Sequence, residues 1–506
     1  MTDTDVIVVG AGPTGLMLAA ELRLAGVGVV VLERRPRINE VAKAGGLGGQ
    51  ILHVLRYRGL LERFEAASGL PRPTPQFPFG GLHVDFTRLA EPPMEALLLP
   101  QPRIEAVLEE YVRECGADVR RGHEVLGLDE DPAEVSVDVR GPDGVHRVSA
   151  RYVVGCDGVR SRIRDLAGIA FTGVSYPEVN RLAHVTRPPS VSLREDGDYE
   201  APGIGLLRSG YTQTDHGMFA IASMTPDELT VYTSEEDPDT YDDEIPMTVT
   251  ELADSIRRVL GADLPLGEPI TMTRFTYHAR HAERYRAGRI LLAGDAAHRF
   301  SAGGVAVNAG MLDAVNLGWK LAADVAGWAP TGLVDTYHDE RHRAGARTLM
   351  HTQAQVALRR GADPAAEALR ELLGELLLDE DPVRRIGRLI AGSDVTYPTP
   401  GLDQHPLVGT FAPDLPLRTA EGTTTVATLM HTARPVLLDL ADRQALRETA
   451  RGWQDRVEIV TARTDPRPAD ALLIRPDAHI AWATDVGEPH DTAGPALRDA
   501  LTYWFG

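Results

Sequence analysis

The sequence predicts an α/β protein with a dinucleotide-binding unit, a largely antiparallel sheet and a separate αβ unit at its C-terminal end. A strand, a glycine-rich turn, a helix and a second strand follow one another over residues 5–33. Short runs of alternating apolar residues dominate residues 170–276, which is typical of an antiparallel sheet. After a Pro-, Gly- and Asp-rich segment at residues 392–416, strand and helix patterns alternate again. A chain of 506 residues has room for two or three such domains.

The turn after the first strand reads Gly10-Ala-Gly-Pro-Thr-Gly15. In such a turn the first glycine permits a tight bend, the second lets backbone amides approach a diphosphate, and the third lets helix and strand pack closely. The phosphates would lie at the N-terminus of the helix predicted over residues 16–25, where unpaired N–H groups favour negative charge. The candidate cofactor-binding residues of this turn are Gly10, Gly12, Pro13, Thr14 and Gly15.

Glu33 ends the second strand, which is predicted over residues 27–32. Its distance along the chain from the turn is close to the spacing of about 20 residues expected for the acid that binds a ribose hydroxyl. An acid at this position favours FAD or NAD over NADP, and the fingerprint leaves the choice between FAD and NAD open. The alternative is a glycine-rich turn that binds no ligand.

Composition excludes several classes of function. The net charge of −21 argues against nucleic acid or an anionic membrane as a partner, because both require basic patches. The two cysteines form no CxxC pair, and the histidines show no metal-ligand spacing, so we expect neither a disulfide framework nor a metal site. No apolar run reaches the ~20 residues of a membrane span, and the first strand leaves no room for a signal peptide. These features predict a cytoplasmic protein.

A second informative stretch begins with a short apolar strand at residues 152–154. It continues as Gly155-Cys-Asp157-Gly158 into a basic segment that starts at Arg160. Cationic side chains near the end of a strand suit phosphate or carboxylate recognition. The alternative for these arginines is a solvated helix face.

A third stretch has a strand at residues 289–293 that ends in Gly294-Asp295. Ligands of open α/β sheets bind at the carboxyl ends of strands, so Asp295 is a binding candidate. A glycine-rich loop with Gly303 and Gly304 follows, and a helix is predicted from about Asn308 or Ala309 to residue 328.

The remaining pattern supplies further elements. Helices are predicted over residues 51–64, 104–115, 249–260, 333–360, 443–453 and 496–503, with one strongly charged face on the helix at 333–360. Strands are predicted over residues 81–86, 119–128, 135–139, 181–185, 217–223, 229–233, 435–440, 457–461, 471–474 and 480–483. The last two strands form a hairpin with its turn at residues 475–478.

Together the three motif stretches resemble the class A FAD-dependent aromatic hydroxylases of the para-hydroxybenzoate hydroxylase type. Within that group the chain is most similar to hydroxylases that tailor aromatic polyketides in actinomycete antibiotic pathways. The resemblance covers nearly the whole chain. It rests on the glycine turn at residues 10–15, on Asp157-Gly158-Val-Arg160 and on Gly294-Asp295.

This resemblance implies a Rossmann-like FAD-binding domain, an antiparallel-sheet substrate domain and a C-terminal thioredoxin-like domain. The FAD-binding domain would comprise residues 1–75, 100–170 and 285–392. The substrate domain would comprise residues 76–99 and 171–284, and the thioredoxin-like domain residues 400–506. The last domain lacks CxxC, so we assign it no redox role and expect it to serve packing or oligomer contact, a homodimer being left open.

The resemblance also implies a set of FAD contacts. Glu33 would bind the adenosine ribose, Gln101 and Arg103 the ribityl–diphosphate region, and Asp295 the ribityl chain. Asp157 and Arg160 would support FAD and the approach of the reductant. The full set of implied cofactor-binding residues is Gly10, Gly12, Pro13, Thr14, Gly15, Glu33, Arg34, Lys43, Gln101, Arg103, Asp157, Gly158, Arg160, Gly294, Asp295, Gly303, Gly304, Val305, Ala306, Val307 and Asn308.

The chain departs from the family pattern at two places. The family loop commonly reads PAGGQGMN, whereas this chain has Ser301-Ala-Gly-Gly-Val-Ala-Val-Asn308. Val305 and Ala306 keep their amides, yet Ala306 carries a Cβ where the family has room. Lys43 stands where the family often has arginine, and it is the one side chain named as a catalytic candidate.

The implied reaction uses NADPH or NADH to reduce the flavin and O₂ to form a C4a-hydroperoxide, which hydroxylates a polycyclic aromatic substrate. A phenol is already nucleophilic, so no side-chain base is required. Baeyer–Villiger or epoxidising oxygen insertion on the same substrates is one alternative. A non-catalytic flavin-binding member of a biosynthetic complex is another, and a plain NAD-dependent dehydrogenase is a third.

Overall fold

The computed structural model describes residues 2–40, 44–68, 76–223, 227–237, 245–301, 304–360, 363–399, 401 and 405–506. The first elements are β1 (Val6–Val9), α1 (Pro13–Leu24), β2 (Val29–Glu33), β3 (Gly46–Gly48), α2 (Gln50–Tyr57), α3 (Leu61–Ser68), β4 (Gln76–Phe79), β5 (Leu82–Asp85), β6 (Ala96–Leu98), α4 (Gln101–Glu114), β7 (Asp118–Arg121), β8 (Glu124–Glu130), β9 (Val135–Gly141), β10 (Gly144–Ala150), β11 (Tyr152–Gly155) and α5 (Arg162–Leu166).

The middle of the chain forms β12 (Phe171–Thr186), β13 (Ser192–Leu193), β14 (Tyr199–Ala201), β15 (Gly205–Leu207), β16 (Gly210–Thr214), β17 (Gly217–Ala222), β18 (Glu228–Glu236), α6 (Val249–Leu260), β19 (Pro269–Ala282), β20 (Arg286–Ala287), β21 (Ile290–Leu292) and β22 (His298–Arg299). It continues with α7 (Ala306–Val325), α8 (Thr336–Arg359), α9 (Pro364–Leu376) and α10 (Glu380–Ala391). The last part holds β23 (Pro416–Arg418), β24 (Thr423–Thr425), α11 (Val426–Leu429), β25 (Val436–Asp439), α12 (Gln444–Ala450), β26 (Glu458–Thr461), β27 (Ala471–Ile474), β28 (Ile480–Thr484) and α13 (His490–Phe505).

The first sheet is the predicted Rossmann-like sheet, with strand order β20-β21-β11-β1-β2-β7. Strands β21, β11, β1, β2 and β7 run parallel, and only the edge strand β20 is antiparallel. All four residues of β1 are buried, because apolar β-branched runs suit strands that are covered on both faces. The carboxyl ends of β1, β11 and β21 therefore meet at one edge of the sheet.

The second large sheet is antiparallel, with order β16-β17-β18-β12-β19-β22. Alternate side chains of its strands point to opposite faces. One face, with Phe219, Ile221 and Val231, packs on Leu252 and Ile256 of α6 in an apolar core. The opposite face carries a smaller cluster that includes Met218 and Tyr232.

The C-terminal part has a sheet of order β26-β25-β27-β28 with helices α12 and α13. Strand β25 pairs in parallel with β26 and antiparallel with β27, which pairs antiparallel with β28. This is the topology of a thioredoxin-like domain, as predicted. Both cysteines of the chain lie outside it and are free thiols.

A buried ionic cluster joins this domain to the first part of the chain. Arg475 donates hydrogen bonds to both Glu340 oxygens at 2.6 and 2.8 Å, and to Asp477 at 3.0 and 2.5 Å. Lys320 donates to Glu340 at 2.7 Å and to Asn316 at 2.9 Å. Although burial opposes ionisation, Arg475 and Lys320 lower the pKa of Glu340 to about 2. The hairpin turn at residues 475–478 is thus an inter-domain contact.

Several predicted elements need correction. The helix predicted over 51–64 is two helices, because the chain turns at Gly59 with a φ of +65°. The strand predicted over 119–128 is divided between two sheets by a turn at Gly122, whose φ is +72°. Helix α7 begins at Ala306, two residues before the predicted start, and α13 begins at His490 rather than 496.

Two further features were not anticipated. The strongly charged face predicted for 333–360 is partly buried, since Glu340 and Arg341 lie in buried ion pairs. Helices α9 and α10 were not predicted. Strands β4 and β5 pair with each other and β6 pairs with β3, so strand pairing does not join residues 76–98 to the second large sheet. The proposed domain division stays a prediction.

Candidate flavin site

The glycine turn is packed tightly at two of its three glycines. A Cβ added at Gly10, which has a φ of +108°, would lie 2.4 Å from the carbonyl oxygen of Cys156. One added at Gly15 would lie 2.0 Å from the carbonyl oxygen of Gly10. A Cβ at Gly12 would meet no atom within 4 Å. The first and third glycines are therefore required by packing, while the second borders open space.

This open space lies at the N-terminus of α1, which Gly12 caps and Pro13 begins. The first helical hydrogen bond runs from the Leu16 amide to the Gly12 carbonyl at 3.0 Å. Amides that precede it have no acceptor within the helix, and the helix dipole adds positive character there. The turn thus fits the diphosphate of a dinucleotide, with amides for its oxygens and room where a side chain would intrude.

Glu33 lies beside this turn at the end of β2. One of its oxygens accepts a hydrogen bond from the Ala11 amide at 2.9 Å, and the other accepts from the Arg35 amide at 2.8 Å. Each carboxylate oxygen can accept more than one hydrogen bond, so the fixed group still has capacity for a ribose hydroxyl. The neighbouring Arg34 side chain is exposed.

Asp157 has a local structural role. Its oxygens accept from the Ser161 hydroxyl at 2.5 Å and from the Ile163 amide at 3.1 Å, which holds the start of α5. Burial raises the pKa of this carboxyl group. Gly158 follows with a φ of +85°, and Arg160 is exposed. Because Gly10 packs against the backbone of residues 156 and 157, this motif directly supports the glycine turn.

The motif at Gly294 meets the glycine turn through Thr14. A Cβ at Gly294 or at Gly310 of α7 would lie 2.6 or 2.4 Å from the Thr14 hydroxyl oxygen. Gly294 has a φ of +65°, and Asp295 is exposed at the carboxyl end of β21. The structure therefore brings together the three predicted motifs at one edge of the sheet.

The loop before α7 borders the same edge. The Asn308 side-chain oxygen accepts from the Gly48 amide at 3.1 Å, and its nitrogen donates to the Gly304 carbonyl at 2.9 Å. The first-turn amides of α7, those of Ala306, Val307 and Asn308, have no acceptor within the helix. Such an end suits the electron-rich carbonyl of a flavin ring.

The structure gives a reason for Val305. Its side chain is 5% exposed and packs in an apolar cluster with Phe79 and Leu358. Val305 therefore fixes the start of α7 by apolar contact. The predicted site residues Lys43 and Gly303 lie outside the described residues.

Gln101 and Arg103 lie on α4, and among the described residues neither of them forms a hydrogen bond with the glycine turn. The Gln101 side chain donates to Glu105 at 2.7 Å, and burial raises the pKa of Glu105. The Gln101 amide donates to the Ala44 carbonyl at 3.0 Å, next to the loop that precedes β3. Arg103 is exposed. Their contact with a cofactor stays a prediction.

Sequence reasoning missed a buried group behind Gly294. Asp313 of α7 accepts from the Gly294 amide at 3.0 Å, from His298 at 2.8 Å and from Arg341 at 2.7 Å. Burial disfavours its charge, yet Arg341 and His298 outweigh burial and lower the pKa of Asp313. In the sequence, an acidic residue among the apolar residues of α7 was the feature that could have indicated this group.

Comparison with known proteins agrees with this site. Residues 3–352 match the family model described as FAD binding domain, and residues 405–506 match the one described as aromatic-ring hydroxylase, C-terminal. The 12-dehydrotetracycline 5-monooxygenase/anhydrotetracycline 6-monooxygenase of Streptomyces rimosus is 41% identical over 511 residues, with 99% of each chain covered.

Two other relatives are informative. The dialkyldecalin synthase of Streptomyces rugosporus is 38% identical over 518 residues, covering 100% of this chain and 99% of that protein. The solved structure of CabE, an aromatic hydroxylase from angucycline biosynthesis, superposes with a TM-score of 0.88 at 39% identity. It covers 100% of this chain and 99% of its own. The chain belongs to the FAD-dependent aromatic-ring hydroxylase family and is a monooxygenase that uses FAD with NAD(P)H as co-substrate.

Proposed function

We propose that this monooxygenase hydroxylates a polycyclic aromatic polyketide intermediate in antibiotic biosynthesis. The observation that carries the proposal is whole-length similarity to the tetracycline and angucycline oxygenases, combined with a complete set of flavin-site motifs in contact with each other. The aromatic face of the second large sheet supplies a surface that suits flat polycycles. O₂ is the proposed oxygen donor.

In this proposal the residues divide the work of binding. The amides of Gly12, Thr14 and Gly15 bind the diphosphate, Glu33 binds the ribose hydroxyl, and Thr14 keeps Gly294 against the turn. Asp295 and the amides at the start of α7 hold the ribityl chain and the ring. Those amides stabilise negative charge on the ring when it is reduced. When bound, FAD supplies the redox chemistry and the activation of oxygen.

Chain residues beyond the cofactor orient the substrate and exclude water. The buried cluster of Phe79, Val305 and Leu358 packs against the start of α7. A dry site protects a reactive oxidant from side reactions. A phenol needs no side-chain base, because its ring is already electron-rich at the positions beside the hydroxyl group.

The direct test is a turnover assay on the purified yellow protein. We expect NAD(P)H and O₂ consumption to be stimulated by anhydrotetracycline or by hydroxyanthraquinones, with one atom of isotopically labelled O₂ in the product. A product that opens on mild alkaline hydrolysis would indicate a lactone and hence Baeyer–Villiger insertion. Substrate conversion without any NAD(P)H consumption would contradict the proposal and favour a synthase-type activity, as in the dialkyldecalin synthase relative.

The cofactor site is tested by Gly12→Ala. The added methyl group enters the open space at the start of α1, so we expect FAD affinity to fall at least about tenfold, or about 1.4 kcal/mol, while the fold persists. The dissociation constant is measured by quenching of flavin fluorescence. Gly452→Ala is the matched control, since its Cβ also meets no atom within 4 Å. Equal FAD affinity in both variants would contradict the assigned diphosphate site.

A further inference from the structure

Helix α9 exposes a row of leucines to solvent. Leu369, Leu372 and Leu376 follow one another at intervals of three and four residues, which places them on one face of the helix. Their exposed fractions are 47%, 54% and 48%. We call these three residues the leucine stripe. A single exposed leucine is ordinary, whereas a row of half-exposed leucines on one helix is typical of a protein–protein contact.

The opposite side of α9 already has its packing partners. Ala366 is buried, and Leu373 packs against the apolar cluster that contains Leu358. The Arg370 guanidinium donates to the carbonyl oxygens of Leu358 at 2.5 Å and of Arg360 at 3.4 Å, at the end of α8. An amphipathic helix usually turns its apolar face to the core. Here another side of the helix makes the core contact, so the leucine stripe is left over.

Charged side chains without ion-pair partners lie on the same two helices. Glu367, Glu371 and Glu375 repeat every four residues along α9 and are exposed. Arg385 and Arg388 are exposed on α10. None of these five groups forms an ion pair with a residue that the structure describes. Helix α9 therefore carries an acidic edge, and the second half of α10 carries a basic one.

One helix is too small for a stable contact by itself. Helix α9 has 13 residues, so it is about 20 Å long and, with its side chains, about 10 Å wide. A standard protein–protein interface buries about 800 Å² per partner. Helix α10 follows α9 after a short turn, and both helices pack on α8. A contact at the leucine stripe therefore has to include α10.

We propose that α9 and α10 form the contact between two copies of this chain, related by a two-fold axis near Leu372. Such an axis sets the two α9 helices antiparallel, so that Leu369 packs against the partner's Leu376. Because α10 starts at the C-terminal end of α9, this arrangement brings the partner's α10 to the N-terminal half of α9, where Glu367 and Glu371 lie. This charge complementarity is the reason to prefer a second copy over an unrelated protein.

The test is sedimentation of the FAD-loaded full chain at a series of concentrations. We expect the wild type to form a dimer that dissociates on dilution. Leu372→Glu brings two like charges together at the axis and should raise the dissociation constant of the dimer at least about tenfold. Leu206→Glu is the matched control, since Leu206 is also 54% exposed and lies on β15 of another sheet. That variant should sediment as the wild type does.

Charge reversal tests the orientation of the two copies. Glu371→Arg and Arg385→Glu should each weaken the dimer, by about tenfold or less. The double variant should regain most of the wild-type affinity, because opposite charges meet again between α9 and the partner's α10. A double variant as weak as the sum of the single changes would overturn this pairing of helices. Circular dichroism and flavin absorbance confirm that each variant is folded and loaded.

The remaining outcomes concern other roles for the leucine stripe. A wild-type chain that stays monomeric at every concentration would overturn the proposal, as would a dimer that Leu372→Glu leaves intact. A monomer in which Leu372→Glu raises the KM for an aromatic substrate would assign the stripe to substrate entry instead. The readout is the mass of the particle, so the result is independent of whether the enzyme oxidises the polyketide proposed above.

Discussion

Arg475 and Arg359 stand in similar aromatic surroundings and differ in their charge partners. The Arg475 guanidinium carbon lies 4.3 Å from the Trp504 ring centroid, and its donors reach Glu340 and Asp477. Arg359 also lies beside an aromatic ring, and its hydrogen bond goes to a neutral phenol. The charge of Arg475 is balanced by two carboxylates of the protein, whereas the polar neighbours of Arg359 in the described part of the chain are neutral phenols.

The two arginines differ in whether nearby carboxylates balance their charge. In the Arg475 cluster two cations, Lys320 and Arg475, meet two carboxylates, Glu340 and Asp477, without net charge. Such a cluster holds two domains in register, and removing one member leaves a buried charge uncompensated. Beside Arg359, by contrast, removal of the guanidinium leaves the neutral Tyr277 hydroxyl and no buried carboxylate among the described residues. Mutation should therefore lower stability strongly at Arg475 and only slightly at Arg359.

The largest expected loss of stability is that caused by Arg475→Met. Glu340 and Asp477 would lose a shared buried partner, so we expect the free energy of unfolding to fall by about 3–5 kcal/mol. Urea unfolding at saturating FAD measures this loss. The control is Arg467→Met in the same domain, whose side chain is 38% exposed and pairs with Asp470. That variant should lose no more than about 1 kcal/mol. Equal losses in both would break the comparison.

An intermediate effect concerns His351, two turns before Arg359 on α8. It is 2% exposed, and burial together with Arg347 lowers its pKa from 6.5 to about 4. Between these pH values the unfolded chain binds more protons, so stability falls as the pH falls, by up to about 1.4 kcal/mol per pH unit. His351→Gln should flatten the dependence of unfolding free energy on pH in this window. Identical slopes in the variant and the wild type would contradict the assignment.

The smallest expected effect is that of Arg359→Met on stability. Because no described carboxylate depends on this arginine, we expect the free energy of unfolding to stay within about 1 kcal/mol of the wild type. Thermal unfolding of the FAD-loaded protein measures it. A loss as large as that of Arg475→Met would show that Arg359 serves the fold, and the comparison would then fail.

The strands and turns of the first sheet could be predicted because their signal is local. An apolar run such as residues 6–9 and a glycine turn with required close contacts need no distant information. The split at Gly59 and Gly122 was missed, since an isolated glycine only weakens a helix or strand pattern and tertiary packing decides whether the chain turns. Helix α9 buries only Ala366 among its described residues, so no fully buried apolar face marked it. Helix α10 does carry apolar residues at helical spacing, Val383, Ile386 and Ile390, and this available signal was not used.

Site residues with a local sequence signal were predicted, and those that depend on distant partners were not. The three motifs were predicted because each occupies a strand end with its own glycine, and the structure brings them together through Gly10 and Thr14. Asp313, Arg341 and Glu340 were not predicted, because their partners come from distant parts of the chain. The sequence marks a strongly charged helix face around residue 340, and only pairing with distant residues shows that part of this face is buried.

Tyr397 connects the C-terminal domain to the motif at Gly294. Its ring stacks on His479 at 4.1 Å, and its hydroxyl accepts from Arg341, which also holds Asp313 behind Gly294. Unfolding of the C-terminal domain would leave Glu340 with Lys320 but without Arg475, and would remove His479 from the Tyr397 ring. We therefore expect the two parts of the chain to unfold in one transition. We also expect a chain truncated before residue 405 to bind FAD more weakly, because the contacts that hold Tyr397, Arg341 and Asp313 behind Gly294 would lose their support.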